Sequence, residues 1–261
     1  MQIDDMLTRQ LIIFILLLAR IGGMFIYAPI FGSFSIPVRI RVIIALALAG
    51  IMTPLLHMKP VGWDGQPLSL ALMVLDEIGV GLVIGFASAL FILATQLAGQ
   101  FIDLQIGFGF VNVVDPVSMR QVTIMGQVAY LLGTLIFLAI DGHHLLISAI
   151  AKSYEIVPPG TGVIFPAIKA GILELFSGAF AIGFKIASPV IVALLLVDAA
   201  MGILARTVPQ MNVFIVGFPL KIVGGLFLFA LSLPLALVML RGLFGHTETD
   251  ILLILKRLSG R

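Results

Sequence analysis

Few residues of this chain have the chemistry to react. Asp141-Gly142-His143-His144 puts a carboxylate and two imidazoles into one short run. Such groups offer acid–base or metal chemistry. Adjacent residues on a helix point about 100° apart, so neighbouring histidines make a poor metal pair. A polar turn or helix end fits the run better. The aspartate and histidines have no nucleophile beside them, and His57 is isolated. No His-Glu-x-x-His and no Gly-x-Ser-x-Gly pattern occurs, and no helix carries paired apolar-face aspartates. With Cys 0, the chain has no disulfide, thiolate metal site or cysteine nucleophile. The expectation is a non-enzyme with no metal and no other cofactor.

Four further charges stand inside long apolar runs: Glu174, Lys185, Asp198 and Lys221. Each costs about 2.5–3.5 kcal/mol at a bilayer centre, so such charges pair or face protein. One pair is readable. The chain from Pro166 to Phe244 reads as a helical hairpin turning at Pro209-Gln210-Met211-Asn212, kinked at Pro189, Pro219 and Pro234. Asp198 and Lys221 lie equally far from that turn. They are expected at one depth on opposing arms, as a structural ion pair.

The stretch unlike all others is Ile106, Gly107, Phe108, Gly109, Phe110, Val111, Asn112, Val113, Val114, Asp115 and Pro116. Two glycines alternate with phenylalanines, valines follow, and Asp-Pro closes the run. Glycine costs about 1 kcal/mol in a helix, and a residue before proline leaves the α region. The segment is therefore non-helical, yet too apolar for a solvated loop. In a membrane-class chain, such backbone is tolerated only inside protein or at a cavity. Its bland alternative is a buried strand or re-entrant turn.

The elements around it follow from composition. Hydrophobic residues make up 61% and charged residues 11%, with mean hydropathy +1.21. A soluble domain carries about 25% charged residues, so this is an all-α membrane-class chain. A net charge of +2 gives no footprint for nucleic acid. Asp4 and Asp5, rather than basic residues, precede the first apolar run, so no cleavable signal peptide is expected. The first helix starts near them and reaches Tyr27. Pro29, Gly32 and Pro37 break the chain. The run from Val42 to Leu56 is shorter than the roughly 20 residues of an ordinary span. Leu68–Leu104 reads as one helix of about 55 Å against a hydrocarbon core of about 30 Å. Its Gly81, Gly85, Ser88 and Ala89 suit close helix packing. No Lys or Arg lies between Lys59 and Arg120, which places that region off the cytoplasmic side. A charge-free helix over 121–140 follows, and Pro158-Pro159-Gly160 marks a loop. Thr247 to Asp250 reads as a capping box opening a short basic-ended helix to Arg261.

Taken in order, these motifs resemble a known family. Ala19-Arg20, Pro29-Ile30-Phe31-Gly32, Ile36-Pro37, Val114-Asp115-Pro116, the Asp141–His144 turn, Pro209–Asn212 and Gly217-Phe218-Pro219 are similar to those of the FliR family. These are R-subunits of the flagellar type III protein export gate, and virulence secretion systems contain a homologous subunit. Ala187-Ser188-Pro189, Gln210-Met211-Asn212 and Phe218-Pro219-Leu220-Lys221 also resemble the small two-helix Q-subunit of that gate.

The resemblance implies a P-subunit-like part over 1–160 and a Q-subunit-like hairpin with a short C-terminal helix over 161–261. It implies one R-type copy beside several P-type and Q-type subunits in the bacterial inner membrane, within the flagellar basal body. Together they form the pore for unfolded flagellar substrates, and a B-type switch subunit binds them on the cytoplasmic side. The loop matching about 106–122 is implied to plug that pore. A secondary transporter or ion channel of the inner membrane is the alternative, since broken helices with midspan charges are shared by transporters. Against it stand the lack of a matched internal repeat and of convergent intramembrane carboxylates.

Overall fold

The computed structural model describes residues 2–33, 36–55, 63–108, 123–160, 165–210 and 212–258. Among these the chain is all-α. Its helices are α1 (Gln2–Tyr27), α2 (Val38–Leu55), α3 (Pro67–Ile106), α4 (Ile124–Ala139), α5 (Gly142–Ile156), α6 (Phe165–Thr207) and α7 (Val213–Leu258). Five segments are long and apolar enough to cross a membrane, and α4 with α5 make a sixth if read as one broken span. With 40 residues, α3 is about 60 Å long. The expected fresh helix start at Thr247–Asp250 does not occur, because α7 runs through it to Leu258. No proline separates that box from the Leu-rich helix before it, so nothing frees Thr247 to act as an N-cap.

Two compact units form. The first holds Met1–Leu90, Asp141–Phe176 and Phe244–Arg261. On α1, Leu16, Leu17, Ile21 and Met24 are fully buried. The glycines let backbones touch: a Cβ at Gly81 or Gly85 of α3 would collide with the carbonyls of Arg20 or Met24 on α1. Gly23 stands in the same relation to Ile78. This is the small-residue packing read from the sequence. After α1 the chain turns tightly, with Ile30 at φ 70. Phe25 and Phe31 stack at 4.7 Å, and Arg41 donates to the carbonyls of Ser33 and Ile36 at 2.5 and 3.1 Å.

Arg20 is the centre of this unit. It is 0% exposed and meets Glu77, 2% exposed, side-on. Its Nε donates to Oε2 at 2.6 Å and Nη2 to Oε1 at 3.0 Å. Nη1 reaches Ser153 Oγ at 2.8 Å, and Nη2 also reaches the Val157 carbonyl at 3.0 Å. The guanidinium carbon lies 3.7 Å from the Tyr154 ring centroid. One side chain of α1 thus binds α3, α5 and the segment after α5. The planar fork of arginine suits this, because it presents several donors at once to one carboxylate and its neighbours.

The second unit holds Phe91–Ile140 and Ser177–Leu243. Phe101 packs edge-on to Phe180 and Phe184 at 5.5 and 5.7 Å. Gly183 lets α6 approach the Ala94 carbonyl of α3. Helices α3 and α4 run antiparallel through small residues. Thr95 faces Gly133, and Gly99 faces Met125 and Gly126 so closely that a Cβ on either Gly99 or Gly133 would collide.

Candidate functional site

The singled-out segment follows the end of α3 and precedes the start of α4 in the chain. Ile106, Gly107 and Phe108 are described, whereas Gly109 through Pro116, and on to Val122, lie outside the described residues. What the structure gives is the base from which the segment departs. Helix α3 stops because Gly107 adopts φ 98, a left-handed conformation that glycine reaches without Cβ strain. The N–H groups of Gly107 and Phe108 both donate to the Asp103 carbonyl at 3.1 Å, which satisfies one of the end carbonyls of the helix.

Ile106 is 0% exposed and seats on α7, where Gly225 leaves the space a Cβ would take from its side chain. The Phe218 ring lies against Gly107, 3.0 Å from where a Cβ would stand. Polar groups hold the same turn. Gln105 Nε2 donates to Asp198 Oδ2 at 3.1 Å. Lys221 Nζ lies 2.9 Å from Asp198 Oδ1 and donates to Oδ2 at 3.0 Å. The structure therefore brings Asp198 and Lys221 together across the α6–α7 hairpin, and adds Gln105 of α3 to them.

The far side of the base is held by Asp103. Helix α4 begins after Thr123, an N-cap residue whose side chain makes no cap hydrogen bond. In its place Asp103 Oδ1 accepts the Met125 N–H at 3.0 Å, and Oδ2 accepts the Gly126 N–H at 3.1 Å. These are the second and third helical N–H groups, the donors an N-cap side chain ordinarily serves. An anion there also meets the positive end of the helix dipole. Asp103 is 3% exposed. Each charge-assisted bond contributes about 1.5–3 kcal/mol. Gly99, one turn before Asp103, clears the space that lets the α4 N-terminus approach.

Asp103 was not singled out from sequence. A lone aspartate at the end of an apolar helix looks like an ordinary polar terminus, and its partners are backbone groups that no residue type marks. The available signal was its place: it is the first charge after the apolar run of α3, and it directly precedes the unusual segment.

The histidine run lies in the other unit. Asp141 breaks α4 from α5 in a left-handed conformation, φ 57, and its carbonyl accepts the N–H of His144 at 2.9 Å and of Leu145 at 3.2 Å. His144 Nδ1 is 3.4 Å from Asp141 Oδ1, both exposed. One donor atom each of Asp141, His143 and His144 fall within 4.8 Å of one another. His143 and His144 both lie in α5 with ring centroids 4.1 Å apart, and Asp141 joins them from the break before that helix. The group sits at a helix N-terminus, whose positive dipole end opposes a cation.

Comparison with known proteins places the chain. Residues 11–247 match the family model described as bacterial export proteins, family 1. The flagellar biosynthetic protein FliR of Bacillus subtilis (strain 168) is 35% identical over 239 residues, covering 90% of this chain and 91% of that protein. FliR of Aquifex aeolicus is 34% identical over 233 residues, covering 88% and 90%. FliR of Escherichia coli (strain K12) is 30% identical over 219 residues, covering 84% and 83%. With a family model matching residues 11–247, and relatives 35% and 34% identical over 90% and 88% of its length, the chain belongs to the FliR family of bacterial export proteins.

Proposed function

We propose that this chain is the R-type subunit of a flagellar protein export gate and works without enzymatic chemistry. In this reading one copy joins P-type and Q-type subunits in the bacterial inner membrane, within the flagellar basal body. A B-type switch subunit binds the cytoplasmic side, and unfolded flagellar proteins pass through the assembled pore. Residues 1–160 correspond to a P-subunit and 161–261 to a Q-subunit. That division concerns kinship of parts, whereas the compact units concern contacts.

Kinship to flagellar relatives over some nine-tenths of the chain supports the assignment. The large apolar side chains left exposed on the helices, such as Phe214, Phe227 and Val238, suit a chain surrounded by lipid and by other subunits. The segment 106–122 is the plug. A pore wide enough for an unfolded chain leaks when idle, so it needs apolar bulk to exclude water. Phe108, Phe110, Val111, Val113 and Val114 supply that bulk; Gly107 and Gly109 allow it to be displaced. Shortening Gly107–Val114 is expected to raise small-molecule permeability in complexes that assemble normally. Parent-like permeability in an assembled, shortened variant refutes the plug, and a native mass of this chain alone as a homo-oligomer refutes the gate.

A further inference from the structure

We propose that Lys185 of α6 meets an aspartate or glutamate on an apolar helix of a neighbouring subunit; this rests on the gate reading above. Lys185 is exposed. It stands inside the apolar span Ile172–Thr207, about 20 Å from one end and about 33 Å from the other at 1.5 Å per residue. Lys221, also inside a span, is held by Asp198. Arg206 and Arg241 stand at the ends of their spans, where water and headgroups reach a long side chain. Lys185 has neither a described carboxylate in ion-pair reach nor a span end nearby.

The second unit has no carboxylate to spare among its described acids. Its acids are Asp103, Asp115 and Asp198. Asp103 holds the N–H groups of Met125 and Gly126, and Asp198 holds Lys221 and Gln105. Asp115 lies outside the described residues. Helix α4 has no charged residue, and α7 has no acid before Glu248. A cation retained in an apolar run pairs or faces protein. With no carboxylate in reach within the described chain, the matching anion comes from another molecule. Ser188, one turn on from Lys185, does not serve it: its Oγ donates to the Lys185 carbonyl at 2.8 Å. Val192, two turns on, is 56% exposed, so the face that meets Lys185 is apolar with an acid set in it. A phospholipid headgroup is the competing anion. Trp and Tyr mark headgroup depth, and neither α6 nor α7 contains one.

Lys185→Arg, Lys185→Met and Lys185→Glu are expressed with the other gate subunits, and complex yield is read by native mass spectrometry. Lys185→Arg keeps the charge and is expected to assemble like the parent. Lys185→Met leaves the partner's acid unpaired, so yield is expected to fall about tenfold or more, with Lys185→Glu lower still. A diazirine-bearing residue in place of Ser188 then captures the neighbour by photo-cross-linking. The captured peptide is expected to belong to another subunit and to contain an aspartate or glutamate. Replacing that acid with leucine is expected to restore the yield of Lys185→Met, because no stranded charge remains. A variant that had merely misfolded would not recover.

Parent-like yield of Lys185→Met in a heteromeric complex overturns the inference and leaves the gate standing; a headgroup partner gives that result. Cross-links confined to lipid, to a second copy or to this chain itself overturn it too, as does a captured peptide without an acid. So does a loss of yield in Lys185→Met that removing the captured acid fails to restore. If the parent chain enters no heteromeric complex, the gate reading falls and takes the inference with it.

Discussion

Replacing Arg20 with methionine tests the core of the first unit. The side chain is fully buried and donates to Glu77 twice, to Ser153 and to the Val157 carbonyl. Methionine restores most of the volume and none of the donors. Glu77 then keeps the Tyr154 hydroxyl, at 3.4 Å, and the Gly160 backbone, neither of them charged, for a carboxylate that is 2% exposed. Removing one partner of a buried pair costs about 3–5 kcal/mol, chiefly through the charge left behind. Even 3 kcal/mol corresponds to about a hundredfold rise in local opening. Hydrogen exchange followed by mass spectrometry on the assembled complex reads this directly, in peptides from α1 and α5. Protection there is expected to drop by about two orders of magnitude, with peptides of the second unit changed far less. Replacing both partners, Arg20→Met with Glu77→Leu, removes the stranded charge and is expected to restore much of the protection. Protection in Arg20→Met within about threefold of the parent would refute the reasoning. A double variant as unprotected as the sum of the singles would refute it too.

Two other expectations follow from named contacts. Asp198→Ala strands Lys221 and Gln105; with Asp198 42% exposed in the single chain, the cost there stays near the 0–1 kcal/mol of a surface pair, and under the proposed gate reading it is expected to rise on assembly. Complex yield should therefore fall more for Asp198→Ala than for Leu235→Ala, and equal yields would refute that. At the start of α3, Asp64 accepts the Ser69 hydroxyl and the Gln66 N–H, while the Trp63 indole donates to the Gln66 carbonyl at 3.0 Å. Those bonds, that of Ser69 first, hold the Asp64 carboxyl below its ordinary range. A lowered pKa means the turn is favoured above the unfolded value, about 3.9, and loses that favour as pH falls through the folded value. The chain has Trp 1, so Trp63 emission should report a transition on the acid side of that value, absent in Asp64→Asn.

What the sequence made legible was whatever hangs on local chemistry. The long α3, the stop at Gly107 and the hairpin around Pro209 all follow from glycine, proline and unbroken apolar runs. Asp198 and Lys221 were matched because a hairpin has a mirror point, which turns sequence distance into depth. Arg20 was visible within the Ala19-Arg20 motif, but Glu77 was not visible as its partner: the two are 57 residues apart, and nothing local sets their register. Asp103 was hidden more deeply, since its partners are main-chain N–H groups. The restart at Thr247 was misread because a capping signature acts only where the preceding helix has already ended.

The borrowed cap on α4 has a consequence for how the chain is made. Translation delivers α3 first, so the carboxylate of Asp103 exists before the N–H groups it will hold. In the finished fold Thr123 makes no cap bond, so the bonds that Met125 and Gly126 make to Asp103 wait on the return of α4 alongside α3. Its completion therefore records that the intervening segment has been synthesised and has returned. A chain that ends within that segment has the carboxylate of Asp103 but not the Met125 and Gly126 N–H groups that it holds in the finished fold.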